Sequence, residues 1–160
     1  MAIVKEKTDE FREVMGQYPT GVSVVTTTNQ QGRPVGMTIN SFASVSLYPL
    51  LVLWSIDHHS SSYEAFKQTD QFAINILADD QADLCYRFSQ QGERFHTNDW
   101  TFSVEKLPVI SKASATLTCT VHERVEAGDH TILIGRVTRI SNNKKEPLLY
   151  YRGNVGPITQ

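Results

Sequence analysis

The most regular pattern in the chain is an alternation. Ala115, Leu117, Cys119 and Val121 interleave with Thr116, Thr118, Thr120 and His122, which predicts a β-strand with one apolar face and one polar, hydroxylated face. The sequence AGDH then turns the chain into TILIGRVTRI, read as the returning strand. Upstream, GVSVVTTT is rich in β-branched residues, NQQG carries a turn signal, and RPVGMTIN reads as a strand coming back, so the three predict a first hairpin. PLLVLWSI and QFAINIL, the latter from Gln71 to Leu77, are unbroken apolar runs of strand length, the pattern of strands buried on both faces. A last short strand is expected to include Leu148 to Tyr151.

Helical spacing is confined to short stretches. Asp9 is a candidate cap for Phe11, Val14, Met15 and Tyr18, a stripe that ends at Pro19 and predicts a helix lying on a sheet. SSSYEAFKQ reads as a short helix with its serines at the N-terminal end, and a second covers Asp80 to Ser89. QQGERFHTNDW has the polar, glycine-containing character of an exposed loop. Six or so strands joined mainly by short turns predict a mainly β fold, an antiparallel barrel with helical insertions rather than a doubly wound sheet. No repeat or linker divides the chain, so residues 1–160 are expected to form one domain.

Composition narrows the function. With 40% hydrophobic and 20% charged residues, the 160-residue chain has the makeup of a globular domain. A formal net charge of −2 with scattered basic residues argues against a nucleic-acid partner. The longest apolar run, Leu50 to Trp54, is far short of a membrane span, and Met1 to Glu10 has no apolar leader core, so the expectation is a soluble, cytoplasmic protein. Cys85 and Cys119 fit no zinc or disulfide spacing and sit among apolar neighbours, as small buried hydrophobes do.

The familiar hydrolase, zinc and P-loop motifs are missing, and Gly21, Gly32 and Gly36 do not form a dinucleotide fingerprint after a strand. Adjacent His58 and His59 carry little weight as a metal site. Two polar clusters remain. GMTINSFASVS, Gly36 to Ser46, packs hydroxyls and amides directly before an apolar strand, which suits ribityl hydroxyls, carbonyls or ring nitrogens of a ligand. A loop stabilised by its own side chain to backbone bonds explains the same residues. SSSY, Ser60 to Tyr63, opens a helix and suits a phosphate, and ordinary N-capping explains it equally well.

The order of these pieces resembles the flavin reductase-like family, and in particular the small NAD(P)H:flavin reductase components of two-component flavin monooxygenases. The resemblance runs from about Phe11 to Gly153 and is carried by FREVMGQYPTGVSVVTT, GMTINSFASVSLYPLLVLWSI, FAINIL followed by a helix, and AGDHTILIGRV, whose GDH triplet is the family's reductase signature. It implies a split β-barrel that binds FMN or FAD as flavin and NADH or NADPH as reductant. Met37, Thr38, Asn40, Ser41, Ser44, Val45 and Ser46 would line the ribityl chain and one edge of the flavin ring, with Thr20 and Gly21 close to the ring. Ser60, Ser61 and Ser62 fall where the family meets the flavin phosphate, with Lys67 or Arg94 able to reach in. Phe88 and Phe95 are candidates for flavin or nicotinamide contact and equally for core. His130 is assigned to nicotinamide positioning, Asp129 to the turn that carries it, and Arg152 to the edge of the site.

The resemblance further implies a homodimer and a monooxygenase partner that receives reduced flavin. Lack of an arginine pair suited to a 2′-phosphate tilts the reductant towards NADH. Two other classes remain open from sequence. One is a flavin-retaining electron-transfer protein in which GDH is only a turn. The other is a related split-barrel oxidoreductase with a different acceptor, such as a pyridoxamine-phosphate oxidase, although SSSY lacks the cationic charge such relatives use for the vitamin phosphate.

Overall fold

A computed structural model describes residues 2–158; Met1, at the head of the stretch read for a leader, and the final two residues of the expected 1–160 domain lie outside the described residues. The chain is mainly β, with 47% strand and 17% helix. In order the elements are α1 (Ala2–Gly16), β1 (Thr20–Gly21), β2 (Ser23–Thr28), β3 (Pro34–Ile39), β4 (Ala43–Leu47), β5 (Leu50–Asp57), α2 (Tyr63–Gln68) and β6 (Gln71–Ile76). They continue with α3 (Ala82–Ser89), β7 (Trp100–Phe102), β8 (Pro108–Ile110), β9 (Ala115–Ala127), β10 (His130–Asn142), β11 (Leu149–Tyr151) and β12 (Asn154–Gly156).

Seven strands form the main sheet in the order β3-β2-β6-β9-β10-β5-β4, every neighbouring pair antiparallel. Among the described residues the ladder stays open, with β3 and β4 as its edges, so hydrogen bonding does not close the expected barrel. Antiparallel pairing and the short helical insertions agree with the sequence reading. β9 and β10 form the long axis of the sheet, 13 residues each, joined through Gly128 and Asp129. Gly128 has φ +66°, a left-handed value that a glycine adopts without a Cβ penalty. Register shifts at Ile134/Gly135 and Val137/Arg139 are bulges that bend and twist this ribbon.

The first hairpin forms as expected from β2 and β3, closed by Asn29 and by Gly32 at φ +74°. β6 is buried on both faces at the centre of the sheet, again as expected. β5 is not. Val52, Trp54 and Ile56 are buried while Leu51, Leu53 and Ser55 are half-exposed, because β5 lies beside the edge strand β4 and its second face is only partly covered. Two cores result. One gathers Trp54, Phe66, Phe72, Ile74 and Leu133, with the Trp54 and Phe66 rings edge to face at 4.9 Å. The other gathers Val22, Val24, Leu77, Leu84, Phe88 and Leu148 under α3 and the C-terminal strands.

Two further expectations are corrected, and one strand is added to those expected. The first helix begins at Ala2, ahead of Asp9, and does not lie on the sheet: Phe11, Val14, Met15 and Tyr18 stay between 50% and 67% exposed. The surfaces it would cover are occupied by α2, α3 and β8. The QQGERFHTNDW stretch is not a fully exposed loop, since Phe95 packs on Phe88 and Trp100 at 5.0 and 5.1 Å and Trp100 Nε1–H donates to the Phe95 carbonyl at 3.1 Å. Beyond Leu149–Tyr151 the chain adds β12, and β11 pairs with β1, which brings Thr20 opposite Tyr150.

Candidate flavin and nicotinamide site

The strand pairing of β5 with β10 sets Asp57 opposite His130. Beyond Asp57 the chain leaves the sheet as HHSSS, and the His58 backbone N–H donates to the Asp129 carbonyl at 3.0 Å. The GDH turn and the serine segment are therefore one unit. His130 Nδ1 lies 2.7 Å from Asp129 Oδ1, which ties that nitrogen to the turn and leaves Nε2 as the nitrogen available to a ligand. The side-chain hydrogen bond with His130, followed by Asp129's own backbone N–H, holds the Asp129 carboxyl below the usual carboxylate range. Asp57 is lowered as well, first by the His59 N–H at 2.7 Å and then by the His59 imidazole at 3.0 Å.

Behind this tip lies a smaller network. His58 Nε2 is 3.0 Å from Thr131 Oγ1 and 3.1 Å from Glu126 Oε2, while the buried Thr131 hydroxyl donates to Glu126 Oε1 at 2.9 Å. Tyr63 Oη reaches Thr131 Oγ1 at 3.3 Å. The network fastens the base of β10 to the start of α2.

The serine segment faces β3. Ser60 Oγ sits 3.7 Å from Met37 Sδ and accepts the Ser62 N–H at 3.2 Å. Arg94 Nη1 donates to the Gly36 carbonyl at 2.6 Å and to Ser62 Oγ at 3.2 Å. Of the two cations expected within reach, Arg94 is thus in place; Lys67 instead lies over the Tyr63 ring at 5.7 Å. Burial lowers the Arg94 pKa from its usual value, yet a guanidinium stays charged. α2 has only six residues and Ser62 makes no side-chain cap, so anion holding rests on the hydroxyls and Arg94 rather than on a helix dipole.

The other expected contacts divide into groups. Thr38 donates to the Cys85 carbonyl at 2.7 Å, Ser41 exchanges bonds with the Ser55 N–H and carbonyl at 3.1 and 3.3 Å, and Ser46 accepts the Tyr48 N–H at 3.2 Å. These bonds shape the loop and leave acceptor lone pairs for a ligand. Asn40, Ser44 and Val45 are exposed at the open edge, with a bulge between Ser44 and Ser46. Thr20 Oγ1 is buried with no hydrogen-bond partner among the described residues, an orphaned hydroxyl of the kind a bound group satisfies. Gly21 is exposed and open around its Cα. Ser61 lines a neighbouring cleft with residues of α2 and the β2–β3 turn.

Phe88 is fully buried and Phe95 packs on it, so both sit in the core beneath Gly36, where a Cβ would meet each ring at 3.0 Å. Arg152, at φ +49°, bonds Gln17 Oε1 and the Gly16 carbonyl and stacks its guanidinium on Tyr151, which ties the C-terminal strands to the end of α1. Asp57, His58 and His59 were undervalued in the sequence. The available signal was their place between a strand and a serine cluster.

The Flavin reductase like domain matches residues 15–159. The chain belongs to the flavin reductase-like family. FMN reductase (NADH) SmoA of Agrobacterium fabrum is 44% identical over 155 residues, covering 97% of this chain and 88% of that protein. The reductase component of the flavin-dependent trigonelline monooxygenase of Acinetobacter baylyi is 45% identical over 148 residues, 92% of this chain and 48% of that protein, so the chain spans about half its length. Among solved structures, the NADH:FAD oxidoreductase SgcE6 of Streptomyces globisporus superposes with a TM-score of 0.90, at 34% identity, covering 97% of this chain and 90% of that one. The same oxidoreductase has been solved in complex with NAD and FAD fragments.

Proposed function

We propose that this chain is an NADH-dependent flavin reductase that reduces FMN or FAD by hydride transfer and releases the reduced flavin to a monooxygenase partner. The observation that carries this reading is the 3.0 Å bond from His58 N–H to the Asp129 carbonyl, which fixes the histidine of the GDH turn against the serines of the phosphate cradle. The residues fit a flavin: uncharged hydroxyls and amides along β3 and β4, an orphaned Thr20 hydroxyl, and Arg94 with Ser62 for the phosphate. When bound, the flavin supplies the redox chemistry and the protein supplies orientation. In this reading His130 Nε2 donates to the nicotinamide side of the site, Asp129 holds the ring in place, and Ser60 and Ser62 with Arg94 hold the phosphate. Arg152 is committed to Gln17 and Gly16 at the end of α1 and takes no part in this reading.

The open sheet is read as the split barrel of the family, in a single domain that works as a cytoplasmic homodimer. The exposed apolar residues of α1 and of the β4–β5 turn, where Leu47 and Tyr48 are 72% and 94% exposed, are the surface offered to the second copy. NADH is preferred because the site holds one arginine, Arg94, already committed to Gly36 and Ser62. SmoA, named an NADH-dependent FMN reductase, and SgcE6, named for NADH and FAD, support the same assignment.

Steady-state oxidation of NADH and NADPH against FMN and FAD is the test. The expected result is flavin-dependent NADH oxidation, with a roughly ten- to hundredfold lower kcat/KM in His130→Ala at nearly wild-type flavin affinity. A purified protein that keeps its flavin and does not oxidise NADH with added flavin would overturn the proposal.

A further inference from the structure

Successive residues of a strand face opposite sides of the sheet, so the start of β10 that presents His130 at the tip turns Thr131 the other way, towards α2, where it is buried. Thr131 stands directly across from Glu126 on β9. Its hydroxyl meets three groups, Glu126 Oε1 at 2.9 Å, His58 Nε2 at 3.0 Å and Tyr63 Oη at 3.3 Å. Neither the flavin nor the nicotinamide reading uses Glu126.

Counting protons fixes the direction of every bond in this cluster. An ionised carboxylate only accepts, so the single Thr131 proton goes to Glu126 and the hydroxyl's lone pairs accept from Tyr63 Oη–H and His58 Nε2–H. His58 Nε2–H is shared with Glu126 Oε2, 3.1 Å away. Each oxygen of one carboxylate therefore holds a donor, and one of the two donors is the His58 ring. The His58 main chain is held as well, since its N–H donates to the Asp129 carbonyl at 3.0 Å. Asp129 Oδ1 in turn lies 2.7 Å from His130 Nδ1. A relay thus runs from Glu126 through His58 and Asp129 to the imidazole of the GDH turn. Resting on the flavin reductase reading, we propose that Glu126 is a positioning residue for hydride transfer, which through His58 sets where the turn holds His130 against the nicotinamide. Small misplacements of a group that orients the reactants lower the rate without abolishing binding.

The Glu126 side chain is 68% exposed, so Glu126→Ala is expected to fold. Reduction of bound flavin by NADH in a single turnover is expected to slow about three- to tenfold in this variant, with flavin affinity and the KM for NADH within about twofold of wild type. The same substitution in the His130→Ala background is expected to cost less than about twofold further, because the imidazole on which the relay ends is gone. Losses that multiply in the double variant, a wild-type rate in Glu126→Ala, or a loss of flavin affinity in place of rate would each overturn the proposal. Thr131→Val is expected to reproduce the slowing, and Thr131→Ser, which keeps the hydroxyl, to recover most of it; a Thr131→Val enzyme as fast as wild type counts against the relay. In NMR spectra the His58 amide proton is expected to move upfield in Glu126→Ala as its bond to Asp129 lengthens, and an unmoved resonance overturns the relay whatever the activity. Failure of the wild type to oxidise NADH would instead strike the reductase reading, on which the NMR measurement does not depend.

Discussion

Asp57 and Asp129 differ from ordinary surface carboxylates in that each is paired with a histidine only one or two residues away. Both have folded pKa values below the usual carboxylate range, so what they contribute to stability is present above the unfolded value of about 4 and is lost as pH falls through the lowered folded values. The melting-temperature gap between the wild type and Asp57→Asn is accordingly expected to close as pH falls below about 4; a gap that persisted at pH 2 would contradict the pairing. Cys119 makes the opposite case, since burial pushes its thiol up to about 12. It is expected to remain unreactive towards a disulfide reagent at pH 8 in the native protein and to react fully in denaturant. At this scale the sequence was informative where a residue's chemistry is intrinsic, as with the two buried cysteines. It was silent where partners come from distant segments: nothing in HHSSS announces that Asp129, 71 residues on, accepts the His58 N–H.

At the scale of elements, β10 crosses the first core through Gly135, where a Cβ would overlap Phe72 Cζ and press on Cys119 Cβ at 3.0 Å. Gly135→Ala is expected to cost about 1–3 kcal/mol in denaturant unfolding, and Phe72→Leu in the same chain to recover part of it. Alternation and turn residues made the β2–β3 and β9–β10 hairpins legible, because each is a local object whose register its own turn sets. The edges were not. Whether Leu51 and Leu53 are covered depends on what lies beyond β4, and whether the stripe on α1 meets the sheet depends on α2, α3 and β8 having filled it first. Phe88 and Phe95 show the same limit, since an aromatic near a ligand loop reads alike whether it faces the ligand or the core behind it.

For the whole molecule, the apolar surface left open on α1 is the largest departure from the sequence reading. If a second copy covers it, sedimentation equilibrium should give twice the 18.0 kDa chain mass, and Phe11→Lys together with Met15→Lys should shift the protein to monomer with lower activity at low concentration. A wild-type monomer at micromolar concentration would remove that surface from the proposal. No described helix is long and apolar enough to cross a membrane.

Near the centre of the sheet, the buried Asn75 donates to the Val24 carbonyl at 2.9 Å and Thr26 Oγ1 at 3.2 Å, and accepts the Ile110 N–H at 2.9 Å and the Thr116 hydroxyl at 3.4 Å. One side chain thus spans β2, β6, β8 and β9, and no strand among them can leave without stranding a polar group inside. The Ile110 amide should therefore trade places with solvent deuterium far more slowly in the wild type than in Asn75→Ala, since lifting β8 alone strands the Asn75 amide oxygen.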